Sequence, residues 1–363
     1  MAAFSSREWD ALLPTTQPFM RHTFLDAMET SGSVSKEAGW EPCHIALHDA
    51  DKLVGALPLY RKHHSFGEFV FDWAWADACQ RARIRYFPKL LTASPYSPVT
   101  GPRLLGKYPD ALIDAAKETC ARGEHASWHV LFPDETDRVV LENAGLLLRK
   151  DCQFQWFDNE YGDFEGFLGA LTSKRRKEIR RERRQVREAG VGFRTVSGNE
   201  LDEATLATVY RCYAHTYHVR GQMPYLTPDF FRQLAMTAPE SLVIFIARRH
   251  SEDIAAAICL RDDSTLYGRY WGSVEEIPGL HFEACYYQGI EYCLQHDLIR
   301  FEPGTQGEHK ISRGFEPVPV WSAHWLRHPG LRNAVADFLD RETLMVDHYL
   351  HNAATLLPFR ERD

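Results

Sequence analysis

The stretch Leu266–Pro317, LYGRYWGSVEEIPGLHFEACYYQGIEYCLQHDLIRFEPGTQGEHKISRGFEP, carries the clearest structural signal in this chain. Leu266 to Trp271 is aromatic-rich and flanked by glycine, which predicts a strand. Gly272 to Gly279 breaks the pattern, with Pro278-Gly279 as a turn. Phe282, Cys285, Tyr286, Gly289, Ile290, Cys293 and Leu294 then recur at helical spacing and define one face. Glu283, Tyr287 and Glu291 form a second row. Gly289 costs helix propensity on the inward face, so it predicts close backbone packing against a sheet. Leu298 to Phe301 reads as the next strand, followed by the polar run Gln306 to Lys310 and by Arg313-Gly314-Phe315.

That order has chemical meaning. A helix start offers free backbone N–H groups and a positive dipole end, which suits a pyrophosphate or a carboxylate. A polar run after a strand end lies where substrates collect in open α/β sheets. Gln306, Glu308, His309, Lys310 and Arg313 supply hydrogen-bonding groups, an acid/base and cations there. The plainer alternative is a solvated loop.

The 363 residues suggest two or three domains at ~150 residues each. Hydrophobic content of 44% is ample for a core. The eight cysteines contain no C-x-x-C pair, which implies a reducing compartment and no structural zinc. The opening MAAFSSREWD has no apolar core of the signal-peptide kind. No run approaches the ~18 apolar residues of a membrane span. The expectation is a cytoplasmic protein, with peripheral contact at the inner membrane left open.

In chain order, Phe24 to Thr30 predicts a helix, and Glu41–His48 with Lys52–Tyr60 a strand pair. Residues 61–78 pack Phe66, Phe69, Phe71, Trp73 and Trp75 around His63, His64, Glu68 and Asp72. This composition fits a pocket wall in which His64, Glu68 and Asp72 contact the acceptor, or else an aromatic core patch. Tyr86–Leu105 holds Pro88, Pro95, Pro98 and Pro102 and cannot be a regular helix. Helices over 109–123 and 136–145 alternate with strands over 127–132 and 146–157. The second half repeats this order without a sequence repeat: strand 191–196, helix 201–217, a short helix 228–236, a hairpin over 242–260, then the stretch quoted above, strand 320–326 and helix 331–350. The expected fold class is therefore mixed α/β in two domains, 1–160 and 161–363, the second opened by a basic helix over 173–189.

That helix is distinctive. Residues 174–188 hold nine Lys/Arg and three Glu, a local charge of +6 within a chain of net charge −8. Ser173 is the expected cap and Gly190 the expected stop. Ile179 and Val186 are its only aliphatic anchors, so most of it should face solvent. Cations in the first turn oppose the helix dipole. The excess charge points to an anionic partner: phosphate, a carrier protein's acidic face, a membrane surface or RNA. The plainer reading is a solvated face with Lys174–Glu178 and Arg184–Glu188 pairs. The acidic remainder argues against a general nucleic-acid binder.

HSFGEFVFDWAWA (64–76), YFPKL (86–90), SPVTGPRLL (97–105), HFEACYYQGIEYC (281–293) and FEPGTQGEHKISRGF (301–315) together resemble a bacterial family of peptidoglycan biosynthesis/recognition proteins and N-acyltransferases, a Fem-like branch of the GNAT superfamily. Some bacterial ceramide synthases look like relatives. The resemblance spans about residues 15–345 and implies two tandem GNAT-like domains, a cytoplasmic location, no metal, no permanently bound cofactor, and an acyl-donor loop at Gly272–Phe282. Glu275 and Glu276 depart from the family's donor-loop pattern and would repel the pyrophosphate of CoA. An acyl-carrier protein, or an acyl donor bound elsewhere, thus becomes a stronger expectation than acyl-CoA at this loop.

The implied reaction is transfer of an acyl group from a thioester to an amine, either a small molecule or a lipid or cell-envelope precursor. N-acyl transfer needs a neutral amine, a polarised carbonyl and an acid for the leaving group. Glu308 or His309 is the expected base, with Glu283 and His281 as second candidates. Tyr270 is the expected acid, and Lys310, Arg313 and Gln306 the donor-binding set. Residues 174–188 would meet the carrier protein or an anionic membrane. Two other readings stand beside this one. The first is a Fem-like ligase that uses aminoacyl-tRNA, disfavoured because no long helical arm is evident. The second is a non-catalytic module that binds a lipid or glycan.

Overall fold

The computed structural model describes residues 1–305 and 307–360. Its strands are β1 (Trp40–Pro42), β2 (Ile45–Asp49), β3 (Lys52–Leu57), β4 (Tyr60–Lys62), β5 (Lys89–Thr92), β6 (Leu105–Gly106), β7 (Ser127–Leu131), β8 (Leu147–Phe157), β9 (Val191–Ser197), β10 (Leu242–Arg249), β11 (Glu252–Arg261), β12 (Thr265–Ser273), β13 (Arg300–Glu302) and β14 (Glu316–Leu326). The chain forms two compact mixed α/β units. One is Met1–Cys152 with Pro319–His348; the other is Gln153–Val318 with the residues from Tyr349 on. This differs from a single boundary at 160/161. Residues 319–348 return to the first unit, because the end of β14 completes its sheet and the next helix covers one of its apolar clusters. Such a long-range return leaves no local composition signal.

In the first unit, β1, β4, β5, β7 and β14 neighbour one another in that order. The β5–β7 ladder is parallel and the other three are antiparallel. β2, β3 and β6 make a separate small antiparallel sheet. Helix Pro109–Arg122 lays Leu112, Ile113 and Ala116 against Leu57, Leu90, Trp128 and Val130. A helix that sequence reasoning missed, Trp73–Arg81, turns Trp75 and Cys79 inward to Leu331, Val335 and Leu339. The proline-rich segment contributes strand β5 to the sheet and then runs irregularly to β6. Its Arg103 is fully buried and donates to the carbonyls of Val99, Pro102 and Leu131.

The second unit orders its strands β8-β13-β12-β11-β10-β9. Only the β12–β13 ladder among these is parallel. Helix Glu203–His218 packs on β11 and β12, and the helical run Leu280–Gln295 packs on β12 and β13. Strand, helices, hairpin, strand, helix, strand and final strand succeed one another as the sequence led us to expect; the parallel pairing of β13 with β12 is set by the fold. The helical run contains a π-turn over Glu283–Tyr287. The wider turn brings Glu283 and Tyr287 inward together with Tyr286, Gly289 and Ile290, so two rows are buried where one was expected.

Gly289 does permit close packing. A Cβ there would lie 2.4 Å from the Phe301 ring. We predict that Gly289→Ala destabilises the protein by about 1–3 kcal/mol, outweighing the ~1 kcal/mol that alanine adds in helix propensity. Urea unfolding measures this; an unchanged midpoint would mean that Phe301 swings aside at no cost.

Candidate active site

A fork between two parallel strands is the chemically suggestive feature of the second unit. β12 pairs with β13 only along Thr265–Tyr267 and Arg300–Glu302. Pro303 and Gly304 then lead the chain away, proline because it has no N–H for the ladder and glycine at φ +97°. β12 continues to Ser273. On its other side the register with β11 shifts between Ile258 and Cys259: Ile258 opposes Tyr270, Cys259 opposes Gly268, and Arg269 is the extra residue. This is a β-bulge, which bends a strand and re-aims its groups. Between the splayed strands lies a cavity of about 80 Å³, lined by Ala257–Cys259, Gly268–Trp271, His281, Cys285 and Pro303. Gly272 lets helix Glu203–His218 close the other side, since a Cβ would fall 1.7 Å from the Cys212 carbonyl oxygen.

His281 enters this cavity from the first turn of the helical run, which opens at Gly279 with φ +83°. Its ring lies among those of Trp271, Phe282 and Tyr286, at centroid distances of 5.6, 5.5 and 5.4 Å. Burial, aided by His309, Lys310 and Arg313, lowers its pKa to about 4. The imidazole is therefore neutral near pH 7 and can accept a proton. Trp271 and His281 also line a larger groove of about 710 Å³. That groove runs along His215, Thr216, Val219 and Arg220 and the loop Ser273–Pro278. Cys285 is half-buried, and desolvation pushes its thiol pKa well above 9.0, so it is not a ready nucleophile.

The run after β13 is a short 3-10 helix, Glu308–Arg313, rather than an open loop. His309 is exposed, and its Nε2 lies 2.7 Å from the Tyr286 hydroxyl. Glu308 is exposed and accepts from Tyr349 at 3.0 Å. Neither lines the cavity. Lys310 is only 1% exposed. Its ammonium donates to the Gly304 carbonyl, and burial followed by repulsion from Arg269 lowers its pKa to about 7. Arg313 stacks on Phe282 at 3.6 Å and donates to Glu182, to the Tyr287 hydroxyl and to the His309 carbonyl. Its charge thus belongs to a helix contact. Gln306 lies outside the described residues.

Glu283 is buried, and its carboxylate accepts from Arg183 and Gln288. Its lone pairs are committed, which argues against the role of base. The basic helix, Ser173–Glu188, supplies both partners of this contact: Glu182 accepts from Tyr287 and Arg313, while Arg183 reaches Glu283 and Glu291. Ile179 and Val186 are buried as expected. Two details are corrected. Thr172, not Ser173, precedes the first turn, and it makes no side-chain cap; Glu178 pairs with Arg175 rather than Lys174. Lys174, Lys177, Arg181 and Arg187 stay exposed on the outer side.

In the first unit, Glu68 and Asp72 are not free to meet an acceptor. Both are buried and accept from the ammonium of Lys89, at 2.7 Å for Glu68, and Asp72 also accepts from Tyr86 at 2.6 Å. Burial raises Glu68 to about 7. It acts on Asp72 in the same direction, but Lys89 overcomes it and holds Asp72 at about 2. His64 is half-buried and its Nδ1 accepts from the Phe66 N–H. Sequence reasoning missed Lys89 and Tyr86 here, and Arg269, Trp271 and Cys285 at the fork. A bulge and a buried ion cluster both depend on partners distant in sequence.

Both units are mixed α/β, and the second contains a parallel strand pair that forks. Solved structures share this architecture. FemX superimposes with a TM-score of 0.54 at 12% identity, covering 92% of this chain and 98% of FemX. L-PGS from Bacillus licheniformis gives 0.53 at 9% identity, covering 90% and 98%. A C-terminal domain described as that of a lysylphosphatidylglycerol synthetase from Agrobacterium fabrum gives 0.55 at 10% identity, covering 93% and 95%. No curated protein matches the sequence. The chain belongs to the FemAB-like family, described as peptidoglycan biosynthesis/recognition, whose model matches residues 1–361. No helix among the described residues is long and apolar enough to cross a membrane.

Lys310 gives a test of this geometry. The folded pKa of about 7 lies below the unfolded value of about 10.4. The unfolded chain therefore binds the extra proton between those values. The charging penalty is fully present below about pH 7 and disappears as pH rises towards about 10. Lys310→Met is thus expected to be more stable than wild type at pH 7, with the advantage shrinking by up to about 1.4 kcal/mol per pH unit above it. Denaturant titrations at several pH values measure the difference; a pH-independent gap would rule out a buried, readily neutralised lysine.

Proposed function

We propose that the second unit catalyses acyl transfer to an amine, with the donor carbonyl held in the β12–β13 fork. The bulged, half-paired strand beside a cavity lined by a neutral histidine carries this reading. A strand edge with a bulge offers backbone N–H groups to a carbonyl oxygen whose negative charge grows in the transition state. The amine nitrogen forms a bond to the carbonyl carbon, and the bond to the thioester sulfur or ester oxygen breaks. His281 takes the proton released from the amine. The Tyr270 phenol, which also lines the cavity, donates one to the leaving group. The adjoining groove receives the acceptor; exposed Glu276 on its rim attracts an amine in its cationic form rather than a phosphate, and the amine gives that proton to water before it attacks as the neutral base. That acidic rim supports a donor other than CoA.

The exposed cations Lys174, Lys177, Arg181 and Arg187 favour a donor carried on a polyanion. An acyl-carrier protein is the first choice and aminoacyl-tRNA the second reading. The cell-envelope role described for the family suits an acceptor from wall or lipid precursors.

A panel of acyl-CoAs, acyl-carrier proteins and aminoacyl-tRNAs, with and without amine acceptors, tests the proposal. Amine-dependent release of the carrier is the expected result. His281→Ala should lower kcat at least ~100-fold with little change in thermal stability, whereas Glu308→Gln should remain close to wild type. In the wild type, the rate should fall with pH as the amine acceptor is protonated, and the further loss from protonation of His281 should appear only near pH 4. Silence across the panel from folded protein would leave a binding module as the surviving reading; full activity of His281→Ala would remove the histidine from the mechanism.

A further inference from the structure

The first unit presents an aromatic surface that the proposed chemistry does not use. Phe66 is 54% exposed, Phe71 58% and Trp73 43%. Three large aromatics facing water within eight residues are a functional signal rather than ordinary surface. The Phe66 and Trp73 rings contact each other at 5.2 Å, and His64 lies 5.3 Å from Phe66 on its other side.

The loop beneath is held from inside. Lys89 anchors Ser65, Glu68 and Asp72, and Lys62 donates to the Phe66 carbonyl at 3.1 Å. Arg149 donates to the Phe71 carbonyl and forms an ion pair with Glu342. Buried ion clusters are costly and are not needed merely to close a loop. Here the cluster pulls the polar residues 65, 68 and 72 inward and leaves residues 66, 71 and 73 outward. Helix Trp73–Arg81 and the turn after it add exposed Arg81, Arg83 and Arg85. Exposed aromatic side chains followed along the chain by three exposed arginines have the chemistry that suits the water–lipid boundary of an anionic bilayer. There the rings leave water for the headgroup region and the guanidinium groups meet phosphate.

We propose that Phe66, Phe71 and Trp73, with Arg81, Arg83 and Arg85, form a docking surface for an anionic membrane. This surface is independent of the fork, so its test does not depend on the transfer reaction. Sedimentation of full-length protein with phosphatidylglycerol-containing and with pure phosphatidylcholine vesicles provides the measurement. Wild type is expected to bind the anionic vesicles preferentially, with a blue shift of tryptophan emission that Trp73→Phe diminishes. The triple substitution Phe66→Ser, Phe71→Ser, Trp73→Ser should weaken binding at least ~10-fold with an unchanged circular-dichroism spectrum. Tyr108→Ser, which alters an equally exposed aromatic elsewhere in the unit, should bind as wild type does. Replacing the three arginines by Gln should remove the preference for anionic vesicles. Absence of wild-type binding, undiminished binding by the folded triple variant, or equal binding to both vesicle types would overturn the proposal.

Discussion

The contact between the basic helix and the π-turn is the constraint on which the second unit depends. Arg183 joins two carboxylates from one helix, while Glu182 of the preceding position takes both Tyr287 and Arg313. Glu182, Arg183, Glu283 and Arg313 each have more than one partner, which is the condition under which a part-buried ionic network is tolerated. Removing one member would leave its partners desolvated and unpaired. The network also sets geometry. It holds the start of the Leu280–Gln295 run, so His281 is carried into the fork on a rigid element rather than on a loop.

The same economy appears at the fork. Gly272 and Gly289 each remove a side chain where another element must come close, one for a helix backbone and one for a phenyl ring. A bulge at Arg269 and a proline after Glu302 stop two strands from pairing to their ends. The cavity is the space those interruptions leave. Burial then tunes the groups around it. His281 and Lys310 both have their protonated forms disfavoured, so neutral nitrogens become available close to physiological pH. In the first unit, burial works through a different arrangement. Lys89 sustains one ionised carboxylate at Asp72, while Glu68 beside it is driven towards the neutral form. The result is a stiff platform under an aromatic loop.

Much of this was readable from local pattern. The helix beginning at Ser173, its two aliphatic anchors, the strand–helix–strand order after Leu266 and the tight role of Gly289 all arise from periodicity and residue type. Among the candidate site residues, His281 and Tyr270 were named by type and place, and both line the cavity. The polar run was misjudged in emphasis. Glu308, His309, Lys310 and Arg313 look equivalent in sequence, yet two are exposed and two are buried with their charges already directed. Helical turns of three residues rather than a loop cause that split.

The sequence alone determined the periodicities, the surplus of cations at 174–188 and the points where glycine and proline interrupt an element, because these depend on neighbours a few residues away. Tertiary structure decided the rest. Whether Glu283 is a base or an anchor depends on Arg183, 100 residues earlier in the chain. Whether Glu68 and Asp72 face a substrate or a lysine depends on Lys89. Whether residues 319–348 join the first unit or the second depends on a strand pairing with β7. Protonation, burial and pairing are properties of surroundings, and those surroundings exist only once distant segments are packed together.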